Sequence, residues 1–153
     1  MRTAGTVIFR TSLATALVAA ALAGGLASSA NADDGGRPLS ATLTGAEEVP
    51  GPGDPDGSGT AVLAVNPGQN EICYTLTVTN VDNVTAAHIH RAPAGAAGPV
   101  VVPLAAPTTG TSTACSSAAR ELSLDILMHP ENYYVNVHSS THPAGAVRGQ
   151  LHA

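Results

Sequence analysis

Past residue 38, apolar and polar positions alternate in short runs, the two-residue period of strands with one face in a core. Leu39, Ala41 and Leu43 alternate with Ser40, Thr42 and Thr44, which predicts a first strand over 39–44. Ala61, Leu63 and Val65 predict a second over 60–66, closed by the turn residues Pro67-Gly68-Gln69-Asn70. The clearest run is 71–79. There Ile72, Tyr74, Leu76 and Val78 share one face and Cys73, Thr75, Thr77 and Thr79 the other. After a turn at 80–83 comes a strand in which Ile89 points inward between His88 and His90. A Val-rich strand at 100–104 is confined to an edge or an end by Pro103. Tyr133, Val135 and Val137 face inward over 133–138, opposite Tyr134, Asn136 and His138, and a last strand at 146–151 turns Val147 and Leu151 inward. One helix is expected over 123–129, with Ser123 as N-cap, Leu122 and Leu127 at hydrophobic-staple spacing, and Pro130 as its stop. Residues 105–113 read as a loop of small residues. The pattern predicts an all-β fold, an antiparallel β-sandwich or barrel.

The start of the chain changes the picture. Arg2 and Arg10, an apolar run over 13–26, and Ala30-Asn31-Ala32 have the layout of a secretory signal cleaved near Ala32. The run is short for a membrane span, so the mature chain is expected to be secreted or extracytoplasmic, with no transmembrane segment. The organisation is then a signal peptide at 1–32, a flexible tail at 33–38 and one domain at 39–153. From Asp33 onward four arginines stand against eleven acidic residues, a net charge of −7, and the chain has no lysine. With three tyrosines as its only aromatics, this segment has neither the basic stripe nor the stacking platform that nucleic acid requires. In an oxidising compartment, Cys73 and Cys115 read first as a disulfide, with a pair of metal thiolates as the alternative. The loop at 45–59 carries Glu47, Glu48, Asp54 and Asp56 without the ligand spacing of a calcium loop, and is expected to be solvated. Asn83-Val84-Thr85 is a glycosylation sequon for a host that glycosylates.

The candidate chemistry lies in the histidines. His88 and His90 share a strand face, and His138 and His142 bracket the end of a later strand. Four imidazoles converging there would suit Cu or Zn. The competing arrangement is a scaffold in which His88 and His138 hydrogen-bond across neighbouring strands, with Asn136 and Arg148 as partners and His142 a turn residue. His129 reads as a helix-cap partner and His152 as a free terminal side chain. Ser139 and Ser140 lie near histidines but lack an acid to orient a base. The carboxylates are concentrated in one loop rather than paired across a cleft, as a glycosidase needs.

The segment Leu43-Thr44-Gly45-Ala46-Glu47-Glu48-Val49-Pro50 resembles the opening motif of the CHRD domain family. Thr85-Ala86-Ala87-His88-Ile89-His90 with Gly98-Pro99-Val100-Val101 is similar to its central motif. Tyr133-Tyr134-Val135-Asn136-Val137-His138, His142-Pro143 and Arg148-Gly149-Gln150-Leu151 are similar to its closing motif. Ala146 departs from the pattern, since many members carry an acid there. The resemblance implies an extracellular β-sandwich of immunoglobulin-like or superoxide-dismutase-like shape, and no particular activity. The His-x-His strand also resembles the copper-binding strand of Cu/Zn superoxide dismutases. However, no histidine lies between His90 and His129, so the loop of zinc ligands is missing and dismutase activity is not expected. The functional expectation is a secreted, non-enzymatic binding or structural module contacting a protein or cell-surface polymer. The alternative is a small extracellular Cu- or Zn-binding protein using His88, His90, His138 and His142.

Overall fold

The computed structural model describes residues 35–153, together with Met1. The rest of the expected signal peptide, its cleavage site, and Asp33 and Asp34 of the tail lie outside the described residues. The strands are β1 (Arg37–Thr44), β2 (Ser58–Asn66), β3 (Glu71–Thr79), β4 (Val84–Arg91), β5 (Val100–Leu104), β6 (Thr111–Ser117), β7 (Tyr133–Ser139) and β8 (Val147–Gln150). One α-helix, α1 (Arg120–Met128), lies between β6 and β7. The strands form one antiparallel sheet in the order β5-β4-β7-β8-β1-β2-β3-β6, and this sheet curls into a nearly closed barrel. Among the described residues, no helix is long and apolar enough to cross a membrane.

The alternation read from the sequence is the core. Leu39, Leu43, Ala61, Leu63, Val65, Ile72, Leu76, Ile89, Val135, Val137, Val147 and Leu151 are all buried in one cluster. Burying such a continuous apolar face is the main driving force for closing the sheet. The opposite faces of β3 and β6 carry threonines, serines and Cys73 directly across from Cys115, and these two are disulfide-bonded.

β6 is a strand that the sequence does not announce: its first three residues fall in the expected 105–113 loop and the rest carry no strand signal. Its sequence, Thr111-Ser112-Thr113-Ala114-Cys115-Ser116-Ser117, has no apolar alternation to signal a strand, and it forms by pairing along β3. It also meets β5 across the barrel seam, where Pro103 has no N–H to donate to a ladder. Side chains bridge this gap: Ser116 Oγ donates to the Pro103 carbonyl at 2.6 Å and Ser112 Oγ to that of Ala105 at 2.7 Å. The Ala105 N–H donates to the Tyr74 hydroxyl at 2.7 Å.

The helix begins earlier than expected. Ala119 occupies the N-cap, and Ser123 is buried inside α1 with its Oγ turned back to the Ala118 carbonyl. The cap and staple read into Ser123, Leu122 and Leu127 are therefore replaced by packing of Ile126 into the core. Asp125 ties α1 to the barrel, accepting a hydrogen bond from the Tyr133 hydroxyl and forming an ion pair with Arg91 at 2.9 Å. Burial, reinforced by that hydrogen bond, pushes the Tyr133 phenol up to about 12. His129 is the C-terminal cap residue through its backbone, and its ring lies 3.7 Å from Glu131. His152 is not free: its backbone bridges to Ser40, and its ring lies 3.4 Å from the Ser40 hydroxyl.

Candidate functional site

The outward faces of β4, β7 and β8 form a polar layer rather than a solvated surface. Register places His88 opposite Asn136, His90 opposite Tyr134, and Asn136 opposite Arg148. His90, Tyr134, Asn136 and Arg148 are all buried, beneath the loops at 45–57, 92–99 and 140–146.

Three of the four histidines meet. The ligand nitrogens of His88, His90 and His138 all lie within 4.8 Å of one another, and His88 Nδ1 is 3.1 Å from His138 Nε2. Two rings are fixed by backbone carbonyls, which can only accept. His90 Nδ1–H donates to the Gly98 carbonyl at 2.9 Å, and His138 Nδ1–H to that of Pro143 at 3.1 Å. Both therefore present a bare Nε2 in the neutral form. In that state His88 Nδ1 carries the proton and donates to His138 Nε2. His90 Nε2 is buried and has no hydrogen-bond partner.

Burial holds all three imidazoles below the usual histidine range, which favours the neutral, lone-pair-bearing form. For His88 the neighbouring His138 and His90 add to the effect. For His90 the Gly98 carbonyl opposes it, while His138 and Arg148 push further down. For His138 the Pro143 carbonyl opposes burial.

His142 is not part of this group. Its Nδ1 lies 3.2 Å from the Thr141 hydroxyl and 4.0 Å from Asp54, on the turn that leads away from β7. Nor do Asn136 and Arg148 serve the histidines as expected. Asn136 Nδ2 donates to Glu48 at 3.1 Å. The Arg148 guanidinium lies 3.5 Å over the Tyr134 ring, which also stacks on His90 at 4.8 Å between centroids.

The closing motif explains the shape of the 92–99 loop. Arg148 donates to the carbonyls of Ala96 at 2.8 Å and Pro93 at 3.0 Å, and Gln150 Nε2 donates to that of Ala92 at 2.8 Å. The Gly98 N–H donates to the Tyr134 hydroxyl at 3.2 Å. Gly98 is required by close approach: a Cβ there would lie 1.9 Å from the Arg91 carbonyl oxygen. Gly95 is required by its φ of +77°.

The acidic loop is also not solvated throughout, because Glu48 and Asp54 are buried. The Asp54 N–H donates to the Ala146 carbonyl at 2.8 Å, which seats the loop on the start of β8. Glu48, Tyr134 and Gln150 belong to the site although the sequence did not mark them, and Arg148 belongs to it with carbonyl and ring partners rather than histidines. Their signal was position in the opening and closing motifs, since neither burial nor partner can be read from residue type alone.

The molecule is thus an all-β, near-closed antiparallel barrel with a buried polar layer and a histidine cluster on that layer. The chain belongs to the CHRD domain family, which it matches over residues 39–151. No curated protein and no solved structure matches it.

Proposed function

We propose that the chain is exported and that its CHRD domain is a non-enzymatic binding module for one Cu or Zn ion, held by His88, His90 and His138. The observation that carries this reading is the buried, unpartnered Nε2 of His90 in a cluster of three imidazoles whose ligand nitrogens lie within 4.8 Å of one another. A buried polar atom without a partner costs free energy unless something completes it. Carbonyl-anchored imidazoles are the usual way a protein orients metal ligands. With metal–nitrogen distances of about 2.0–2.1 Å, neighbouring donors lie roughly 3–3.5 Å apart. His88 Nδ1 and His138 Nε2 already have that spacing at 3.1 Å, and His90 brings a ring nitrogen within 4.8 Å of the other two. Binding shifts the His88 proton from Nδ1 to Nε2, freeing Nδ1 as the third donor.

The test is isothermal titration of the metal-stripped domain with Cu²⁺ and with Zn²⁺. The reading predicts saturable one-to-one binding, lost in a His88→Ala/His90→Ala variant and kept in His142→Ala. No binding by the folded domain, or binding equally strong in the double variant, would leave the histidines as scaffold and return the search to protein or polymer partners.

A further inference from the structure

Glu48 and Asn136 pose a problem that one proton solves. Asn136 Nδ2 donates to Glu48 Oε2, but Glu48 Oε1 and Asn136 Oδ1 are both buried acceptors with no donor. A side-chain amide facing a carboxylate can form only one hydrogen bond, because both remaining oxygens are acceptors. A carboxylic acid facing the same amide can form two.

We infer that Glu48 is a neutral acid in the folded domain, its Oε1–H donating to Asn136 Oδ1, and that this acid–amide pair is a pH-sensitive latch between the 45–57 loop and the barrel. The side chain is tightly enclosed and cut off from water. Gly53 and Gly145 flank the side chain so closely that a Cβ on either would lie 2.5 Å or less from Glu48 atoms. The latch also presses on the 140–146 turn, whose Pro143 carbonyl orients His138.

The charged group that acts on it is Arg148 on β8. Of the other titratable groups on the packed elements, Asp54 in its own loop and His142 on the 140–146 turn lie 4.0 Å from each other, and the β4 and β7 histidines form their own cluster. Burial raises the Glu48 carboxyl from 4.5 to about 7, opposed by the Asn136 hydrogen bond, the Arg148 charge and the Val49 backbone N–H. The sign follows from linkage. A carboxyl raised on folding gives stability that is complete below about pH 4.5 and is lost as pH rises toward about 7. The buried histidines act oppositely, losing stability on acidification, so total stability alone cannot isolate the latch.

The experiment compares the unfolding equilibrium of the domain and its Glu48→Gln variant from pH 4 to 8. Glutamine reproduces the neutral acid, accepting from Asn136 Nδ2 and donating to Asn136 Oδ1. The latch predicts similar stabilities near pH 4 and a growing advantage for the variant above it. That advantage levels off past pH 7 at up to about 300-fold in the equilibrium constant. Parallel profiles, or a variant less stable by a constant factor, would overturn the proposal. As a measurement independent of the variant's folding, the ¹³C carboxyl resonance of Glu48 in the unmodified domain should titrate near neutrality. A midpoint in the ordinary carboxylate range would equally contradict it. Neither result depends on whether a metal binds.

Discussion

Replacing Arg148 with alanine is expected to lower the unfolding free energy of the domain by about 3–5 kcal/mol. Arg148 is 1% exposed, and its guanidinium is spent on the carbonyls of Pro93 and Ala96 and on the face of Tyr134. Each charge-assisted bond contributes roughly 1.5–3 kcal/mol, and its removal leaves a carbonyl without its donor. Lysine should recover only part of the loss, because a point charge cannot reach two carbonyls and stack on a ring at once. The effect should spread to the histidines, since the loop held by Arg148 supplies the Gly98 carbonyl that orients His90. Chemical denaturation measures the loss, and a change under 1 kcal/mol would show that the buried cation is not what fixes the loop.

The second large effect concerns the disulfide. Cys73 and Cys115 are 42 residues apart, and on the chain-entropy model the link stabilises the domain by about 4 kcal/mol. The pair lies on the polar face of β3 and β6, away from the core cluster. The Cys73→Ser/Cys115→Ser domain should therefore keep its barrel while losing most of that stability. β6 has little apolar side-chain anchoring, so its amides should lose exchange protection first. An unchanged melting temperature on reduction would contradict this.

The barrel is legible in the sequence because six strands announce themselves by alternation, as Ile72, Tyr74, Leu76 and Val78 do, and a seventh by its run of valines at 100–102. β6 was hidden because Thr, Ser and Cys carry no apolar signal, and only a partner strand makes that segment extended. At the site, the shared face of His88 and His90 followed from strand geometry, and His138 followed from its place on β7. His142 was wrongly grouped with them, since spacing cannot tell which way the turn after β7 leads. Glu48 and Arg148 illustrate a further limit. Glu48 reads as solvated within its acidic loop until tertiary structure closes over it, and Arg148 reads as a partner of the histidines because the carbonyls it holds lie more than fifty positions away.

The most direct test of the metal reading is a crystal of the domain soaked in Cu²⁺ or Zn²⁺ and measured across the absorption edge of the metal. The account predicts one anomalous peak about 2.0–2.1 Å from His88 Nδ1, His90 Nε2 and His138 Nε2. A peak beside His142 and Asp54 instead, or none in a well-ordered crystal, would contradict it.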